Sequence, residues 1–283
     1  MATSTAPNQV WLPSDIAAQT DLSDVVLSAT FEAYMWDFSM SLIEEYSVLS
    51  QNRRRPSALV YLLARLSSFA LVVSSFVFDT QNNIEDCHGL AKSIGWFGGI
   101  AMPLNSLLFF FRAKAVFNDN KPVVYSFALL WIAMLGCLSA PFAVDGAEYI
   151  GTMRYCVTST VKPYSAAGIF IIGVHDTVVF FAITLRLTVI SSAETWYDRV
   201  KMFFSGRGMG SISKVLLTSG QLYYSATVGL NIVTIILLVS PSVGDVICAT
   251  FAVSNVALQN AMACRVYRQL RLGFIQDVVD SDA

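Results

Sequence analysis

Charge is scarce in this 283-residue chain: Asp, Glu, Lys and Arg make up 13% of it, against 55% hydrophobic residues. Positive charge is missing altogether from the first part, because the earliest basic residues are Arg53, Arg54 and Arg55. There is no Asn-x-Ser/Thr sequon and no prenylation box, so nothing marks a glycan or a lipid anchor. The Gly-rich stretch Ser205 to Ser211 lacks the Gly-Lys-Ser/Thr ending and the preceding strand of a phosphate-binding loop, which removes a nucleotide reading. It reads as a hinge instead. No internal repeat is visible, which weakens an inverted-repeat transporter. No catalytic, metal or cofactor motif stands out. The opening Met-Ala-Thr-Ser-Thr-Ala-Pro-Asn has neither the basic region nor the apolar core of a cleavable signal, so the first helix is expected to act as its own insertion signal, held by Arg53–Arg55.

Present instead are seven apolar stretches, at 24–49, 57–79, 90–111, 122–144, 163–187, 215–239 and 246–266. Each is near the roughly 20 residues that cross about 30 Å of hydrocarbon. Lipid cannot satisfy an open backbone, so helices are the expected element. The fold class is therefore all-α: a polytopic membrane protein with a seven-transmembrane helix bundle. The basic residues fix its orientation. Arg53, Arg54, Arg55, Arg112, Lys114, Lys121, Arg186, Arg199, Lys201, Arg207, Lys214, Arg265, Arg268 and Arg271 fall on one side. Lys92, Arg154 and Lys162 fall on the other, among Asp79, Glu85, Asp86, Asp145, Glu148 and Asp245. The basic side is cytosolic, which puts the N-terminus outside and the C-terminus inside. Residues 1–23 are expected to be a mobile extracellular polar tail, 24–272 the membrane domain, and 273–283 an acidic cytosolic tail. The chain is expected in the plasma membrane or another secretory-pathway membrane.

Cysteine usage agrees. Cys87 and Cys156 are the only cysteines in outer segments, on the oxidising side, and a bridge between them is expected. Cys137, Cys248 and Cys264 lie inside apolar stretches and read as small buried hydrophobes. The outer segment 145–162 is long enough to fold over the bundle mouth. In the inner segment 188–214, Trp196, Val200 and Phe203 suggest an amphipathic surface helix. Val266, Leu270 and Phe274 suggest another along the inner leaflet. Phe109, Phe110 and Phe111 are expected to face lipid and neighbouring helices, and Pro103 and Pro141 to kink helices 3 and 4.

Ionisable groups at membrane depth are costly and tend to be paired or functional. At 1.5 Å of rise per residue, Glu44 and Arg65 both lie roughly 12 Å from the inner edge, on antiparallel neighbours. Glu44 or Glu45 is the expected partner of Arg65. Asn105, Gln221, Gln259 and Asn260 fall at roughly 8–11 Å, so five helices bring polar groups to one inner layer. That layer is either structural glue or a switch with alternative pairings. Asp176 and Asn255 lie about 15 Å deep, with Asp37 and His175 close to that level and Glu32 and Asn231 higher. These six are the candidates for ligand binding or mechanism. His175 and Asp176 are adjacent on a helix and are expected to point about 100° apart.

Several segments carry a resemblance. Glu32-Ala-Tyr-Met-Trp-Asp37-Phe, followed by Ser-Leu-Ile-Glu44-Glu45-Tyr46, resembles the first-helix signature of a large family of predicted seven-helix proteins from basidiomycete fungi. Leu107 to Phe117, Phe203 to Gly210, Gly220 to Tyr224 and Asn260 to Arg268 resemble the same family. The likeness runs from about 30 to 273 and implies a fold and a membrane address, with no reaction attached. The topology, the helix 3 cysteine facing the next outer loop, and the basic third inner loop are also similar to G-protein-coupled receptors. The motifs depart from that pattern: helix 3 ends in Phe-Arg112-Ala-Lys114, and helix 7 lacks Asn-Pro-x-x-Tyr. Helix 7 has no Lys for a retinal Schiff base.

Three function classes follow. A receptor fits the topology, the expected bridge and the basic inner loop. It would take a small apolar or amphipathic ligand and a cytosolic signalling protein, with the bilayer as its constant partner and no role for nucleic acid. A membrane-embedded enzyme, of the acid-initiated terpene-cyclase kind, would use carboxylic acids such as Glu32, Asp37 or Asp176, although none of that group's motifs is present. A transporter would need a continuous polar path.

Overall fold

A computed structural model describes residues 14–52, 56–81, 86–117, 120–135, 147–150, 155–158, 164–190, 226–240 and 243–281. The described chain is helical apart from one short hairpin. Its helices are α1 (Ser14–Asn52), α2 (Pro56–Thr80), α3 (Cys87–Val116), α4 (Lys121–Met134), α5 (Tyr164–Ile190), α6 (Ala226–Val239) and α7 (Asp245–Ser281). Each falls on one of the apolar stretches, although 135–144 and 215–225 hold positions outside the described helices. Helices α2, α3 and the Asp245–Gln269 part of α7 are long and apolar enough to cross a membrane, and α4, α6 and the Phe170–Ile183 part of α5 are shorter apolar helices. Helix α1 has the length, at 39 residues, but Asp21, Asp24, Glu32, Asp37, Glu44 and Glu45 lower its hydropathy.

Local chemistry sets several of these ends. Asp86 caps α3 by accepting a hydrogen bond from the Gly89 amide at 2.8 Å. Gly89 allows this closeness, since a Cβ there would collide with the Asp86 carboxylate. Helix α4 starts after Asn120, with Pro122 in its first turn, where a missing N–H costs nothing.

Two boundaries differ from expectation. The tail 1–23 was expected to be mobile, yet α1 begins at Ser14, and Thr20 and Ser23 are buried. The extra turns persist because Ser23 finds polar partners on α2 and α7. A separate surface helix was expected past residue 266. Instead α7 runs unbroken to Ser281, through the expected boundary at 273, and buries Val266, Tyr267 and Arg268. No proline follows Asp245, and the single Gly273 costs only about 1 kcal/mol in a helix.

Helix α1 packs on α2 and α7, α2 on α3, and α3 on α4, α5 and α7. The main apolar core joins six helices through Val48, Tyr61, Leu108, Phe109, Phe127, Val179 and Cys264. Phe109 therefore sits in the core rather than toward lipid, because α3 is surrounded by other helices on that face. Cys248 and Cys264 are buried and unbridged, while Cys137 lies outside the described residues. The hairpin pairs β1 (Ala147–Ile150) with β2 (Tyr155–Thr158), antiparallel, with Tyr149 opposite Cys156. It rests on α2, α3 and α7. The Cys87–Cys156 disulfide ties it to the first residue of α3, as expected, across 5.8 Å between Cα atoms. The hairpin itself was not foreseen.

Candidate functional site

Many polar side chains of this bundle are buried inside it. Arg65, in the middle of α2, is 1% exposed, whereas Ile43 on the outer face of α1 is 85% exposed. On α1, Tyr34, Asp37, Ser41 and Glu45 recur every three or four residues, so they share one face. That face meets Arg65. The Arg65 Nη2 donates to Asp37 Oδ2 at 2.8 Å and to Ser41 Oγ at 2.9 Å. Its Nε lies 3.1 Å from Glu45 Oε1, an ion-pair contact without hydrogen-bond alignment. The guanidinium carbon also sits 5.2 Å from the Tyr34 ring centre and 5.0 Å from that of Phe38.

Glu45 is shared. Its Oε1 accepts from Ser41 at 2.9 Å, from the Tyr61 hydroxyl at 2.9 Å, and from Arg268 Nη1 at 3.4 Å. Arg268 in turn donates from Nε to Glu44 Oε2 at 3.0 Å. Two guanidinium groups from α2 and α7 thus meet over one carboxylate of α1. Glu44, more than half exposed, completes the far end. The expected Arg65–Glu45 pair is present. Two corrections go with it. Asp37, expected among the midplane acids, is instead the shortest partner of Arg65, because the long Arg side chain spans two turns of α1. Arg268, expected as an inner flank, is buried and part of the pairing.

Asn260 joins this cluster to the centre. It accepts from the Tyr34 hydroxyl at 2.8 Å and donates to Asn105 Oδ1 at 2.8 Å and to the Ala64 carbonyl at 3.1 Å. Deeper still, Asp176 of α5 takes three contacts. Ser106 of α3 donates to its Oδ1 at 3.0 Å, and Gln259 of α7 donates to its Oδ2 at 3.0 Å. The His175 Nδ1 lies 3.0 Å from the same Oδ1. The two neighbours were expected to diverge, but the carboxylate turns back onto the adjacent imidazole. Asn255 donates to Asn231 Oδ1 at 2.6 Å, joining α7 to α6. Gly173 of α5 lies against Asn231, where a Cβ would make ordinary contact. His175 Nε2, Asn105 Nδ2, Asn231 Nδ2 and Asn255 Oδ1 are buried without a hydrogen-bond partner among the described residues.

The opposite end holds a pocket. Its walls come from α1, α2, α3, α7 and the Cys156 corner of the hairpin. Leu27, Phe78, Ile94, Val246 and Val253 make it apolar, and Ser23, Ser75, Asp79 and Thr250 give it a polar side. Ser23 donates to Asp79 Oδ1 at 3.2 Å and lies 2.7 Å from the Thr250 hydroxyl. Gln19 crosses to α7 beside this pocket, over Gly244, whose missing side chain leaves it room.

Of the sequence candidates, Asp37, Glu44, Glu45, Arg65, Asn105 and Asn260 form one connected cluster, and Gln259, Asp176 and His175 form another. Asn231 and Asn255 pair with each other. Glu32 is exposed on the outside of α1 and joins none of these groups. Its expected place in a pocket is corrected by the helix face it occupies. Gln221 lies outside the described residues. Tyr34, Ser41, Tyr61, Ser106 and Arg268 were missed. Tyr34 and Ser41 stand three or four residues from Asp37, Glu44 and Glu45, and Tyr61 stands four from Arg65, which was the available signal; Ser106 and Arg268 carry no such spacing. Among the described residues no group of His, Cys, Asp and Glu forms a metal site. No protein-family profile matches the sequence, and no curated protein matches it either.

Proposed function

We propose that the chain is a seven-helix membrane protein of receptor type, with the Asp79 pocket facing outside and the Arg65–Glu45–Arg268 cluster at the cytosolic end. Supporting this reading is the distribution of side chains, polar within and apolar without, which suits a lipid solvent. So is the row of basic residues on one side. The likeness of the α1, α3 and α7 segments to the fungal seven-helix family points the same way.

The observation that carries the receptor class is the shared carboxylate. Glu45 serves two buried guanidinium groups on different helices, and each has an alternative acid, Asp37 for Arg65 and Glu44 for Arg268. Exchanging these pairings moves α2 and α7 relative to α1 without leaving a charge bare. A two-state element of this kind is what a signalling protein needs. Each state keeps its charges compensated, so the energy gap between them stays small enough for a ligand to bias.

Removing the shared charge tests it. Spin labels at Ser50 on α1 and Lys114 on α3, both exposed, report the spacing of the cytosolic ends. Glu45→Gln is expected to add a second distance population to that of the unaltered protein. A single unchanged distance in both proteins would leave the cluster as structural glue and remove the receptor reading.

A second reading rests on a specific contact. The buried His175–Asp176 pair, with Nε2 unpartnered among the described residues, is suited to moving a proton and favours a membrane-embedded enzyme. In that case the distance between labels would not respond to Glu45→Gln, and His175→Gln would abolish turnover.

A further inference from the structure

We infer that the outer pocket binds a small neutral molecule, a hydrocarbon body of about six carbons carrying a single oxygen such as a hydroxyl. The inference rests on the receptor-type reading above and names the ligand class of its outer site.

The polar wall of the pocket is almost fully engaged within the protein. Ser23 donates to Asp79 Oδ1 at 3.2 Å and lies 2.7 Å from the Thr250 hydroxyl. The Asp79 carboxyl group is also hydrogen-bonded to that of Asp24. Thr250 donates to the Val246 carbonyl at 2.8 Å, Thr20 is likewise engaged, and Cys156 is held in the disulfide. Ser75 is the exception. It lines the cavity and is 4% exposed, and its Oγ has no hydrogen-bond partner among the described residues. A buried hydroxyl left unmatched costs free energy, which a ligand supplying one partner would recover.

The charge of the head group follows from the same set of contacts. An anionic head would find no Lys, Arg or His among the described residues that line the cavity. A cationic head would have to displace Ser23 or Asp24 from Asp79, exchanging one set of hydrogen bonds for another. A neutral oxygen needs neither. It accepts from the Ser75 hydroxyl or donates to it, and the contacts of Asp79 stay in place. The size of the body follows from the space. The cavity encloses about 120 Å³, and an apolar cavity of about 150 Å³ holds one benzene molecule. Leu27 of α1, Phe78 of α2, Ile94 of α3 and Val246 and Val253 of α7 supply the apolar walls. Helices α1, α2 and α7 meet again at Glu45, so occupancy bears on the spacing of the helices that share that carboxylate.

The test uses the full chain, purified in detergent, with three probes built on one ring: cyclohexanol, cyclohexylammonium and cyclohexanecarboxylate. Thermal unfolding is followed as each is titrated, with every variant in the same micelles so that effects on the detergent cancel. Cyclohexanol is expected to raise the unfolding temperature saturably, and the two charged probes are not. Ser75→Ala should weaken the cyclohexanol response about fivefold, as loss of a neutral hydrogen bond does. It should do so without lowering the unliganded unfolding temperature, because this hydroxyl holds nothing among the described residues. Ala249→Leu, which puts an isopropyl group into the cavity, should remove the response altogether. Should Ala249→Leu fail to fold, Ser75→Ala decides alone. Stabilisation by either charged probe equal to that by cyclohexanol, unchanged cyclohexanol affinity in Ser75→Ala, or no saturable response to cyclohexanol would each overturn the inference. The Ser50–Lys114 distance experiment uses no ligand, so a failure here is separable from a failure of the receptor reading.

Discussion

Arg65→Met tests the energetic centre of the bundle. The Arg65 guanidinium is 1% exposed and contacts Asp37 at 2.8 Å, Ser41 at 2.9 Å and Glu45 at 3.1 Å. Removing one member of a buried ion pair leaves its partner uncompensated and costs about 3–5 kcal/mol. Here the strain divides unequally. Glu45 keeps Arg268, Tyr61 and Ser41, so it remains satisfied. Asp37 has only Arg65 as a cationic partner in the described structure, and its 26% exposed side chain recovers some hydration. The lower half of the range, about 3 kcal/mol, is therefore expected. In a chain of this size that corresponds to roughly 6–12 °C in unfolding temperature. Asp37→Asn alone should cost less, about 1–3 kcal/mol, because it leaves a charged donor underused. In the double variant both charges are gone, and the loss should fall short of the sum by about 1 kcal/mol or more. The assay is thermal unfolding in detergent of the wild type, both single variants and the double. Additivity within about 0.5 kcal/mol would mean that the pair contributes nothing and would refute the reasoning.

Two further outcomes follow from the geometry. The disulfide closes a loop of 69 residues, so Cys87→Ser should lower stability by about 2–4 kcal/mol and loosen the hairpin, read as faster proteolysis in the 147–158 region. Non-reducing gels that show no bridge in the native protein would contradict this. Asn231→Leu or Asn255→Leu should each cost about 1–2 kcal/mol, since each orphans a buried amide, while the double change should cost less than either. Unfolding curves of the three variants decide, and a double variant worse than both singles would count against the pairing.

Much of this was open to a reading of the sequence, and the reasons are physical. The Arg65–Glu45 pair emerges from counting depth along antiparallel neighbours, because helix rise is constant. The bridge follows because only Cys87 and Cys156 lie outside the seven apolar stretches. What escaped was set by helix rotation. Depth says nothing about which way Arg268 points, so a buried ligand of Glu44 and Glu45 read as a flanking charge. Asp37 sits two turns of helix from Glu45, and only the reach of a guanidinium brings both to Arg65. Glu32 is near Asp37 in sequence yet lies on the opposite face. His175 and Asp176 touch because a short carboxylate can fold back along its own helix, which angular spacing alone does not convey. The pocket depends on the first turns of α1, where the sequence is too polar to register as part of the bundle. The hairpin strands, four residues each, are too short to show an alternating pattern.

The bundle is proposed to hold the Asp79 pocket outside and the Arg65 cluster at the cytosolic end, and labelling of intact cells measures that orientation. Single cysteines placed at Ser4 and at Ser281 are treated with a membrane-impermeant maleimide before and after permeabilisation. The Ser4 position is expected to label from outside in intact cells, and the Ser281 position only once the membrane is opened. The reverse pattern, or both positions labelling together in intact cells, would contradict it.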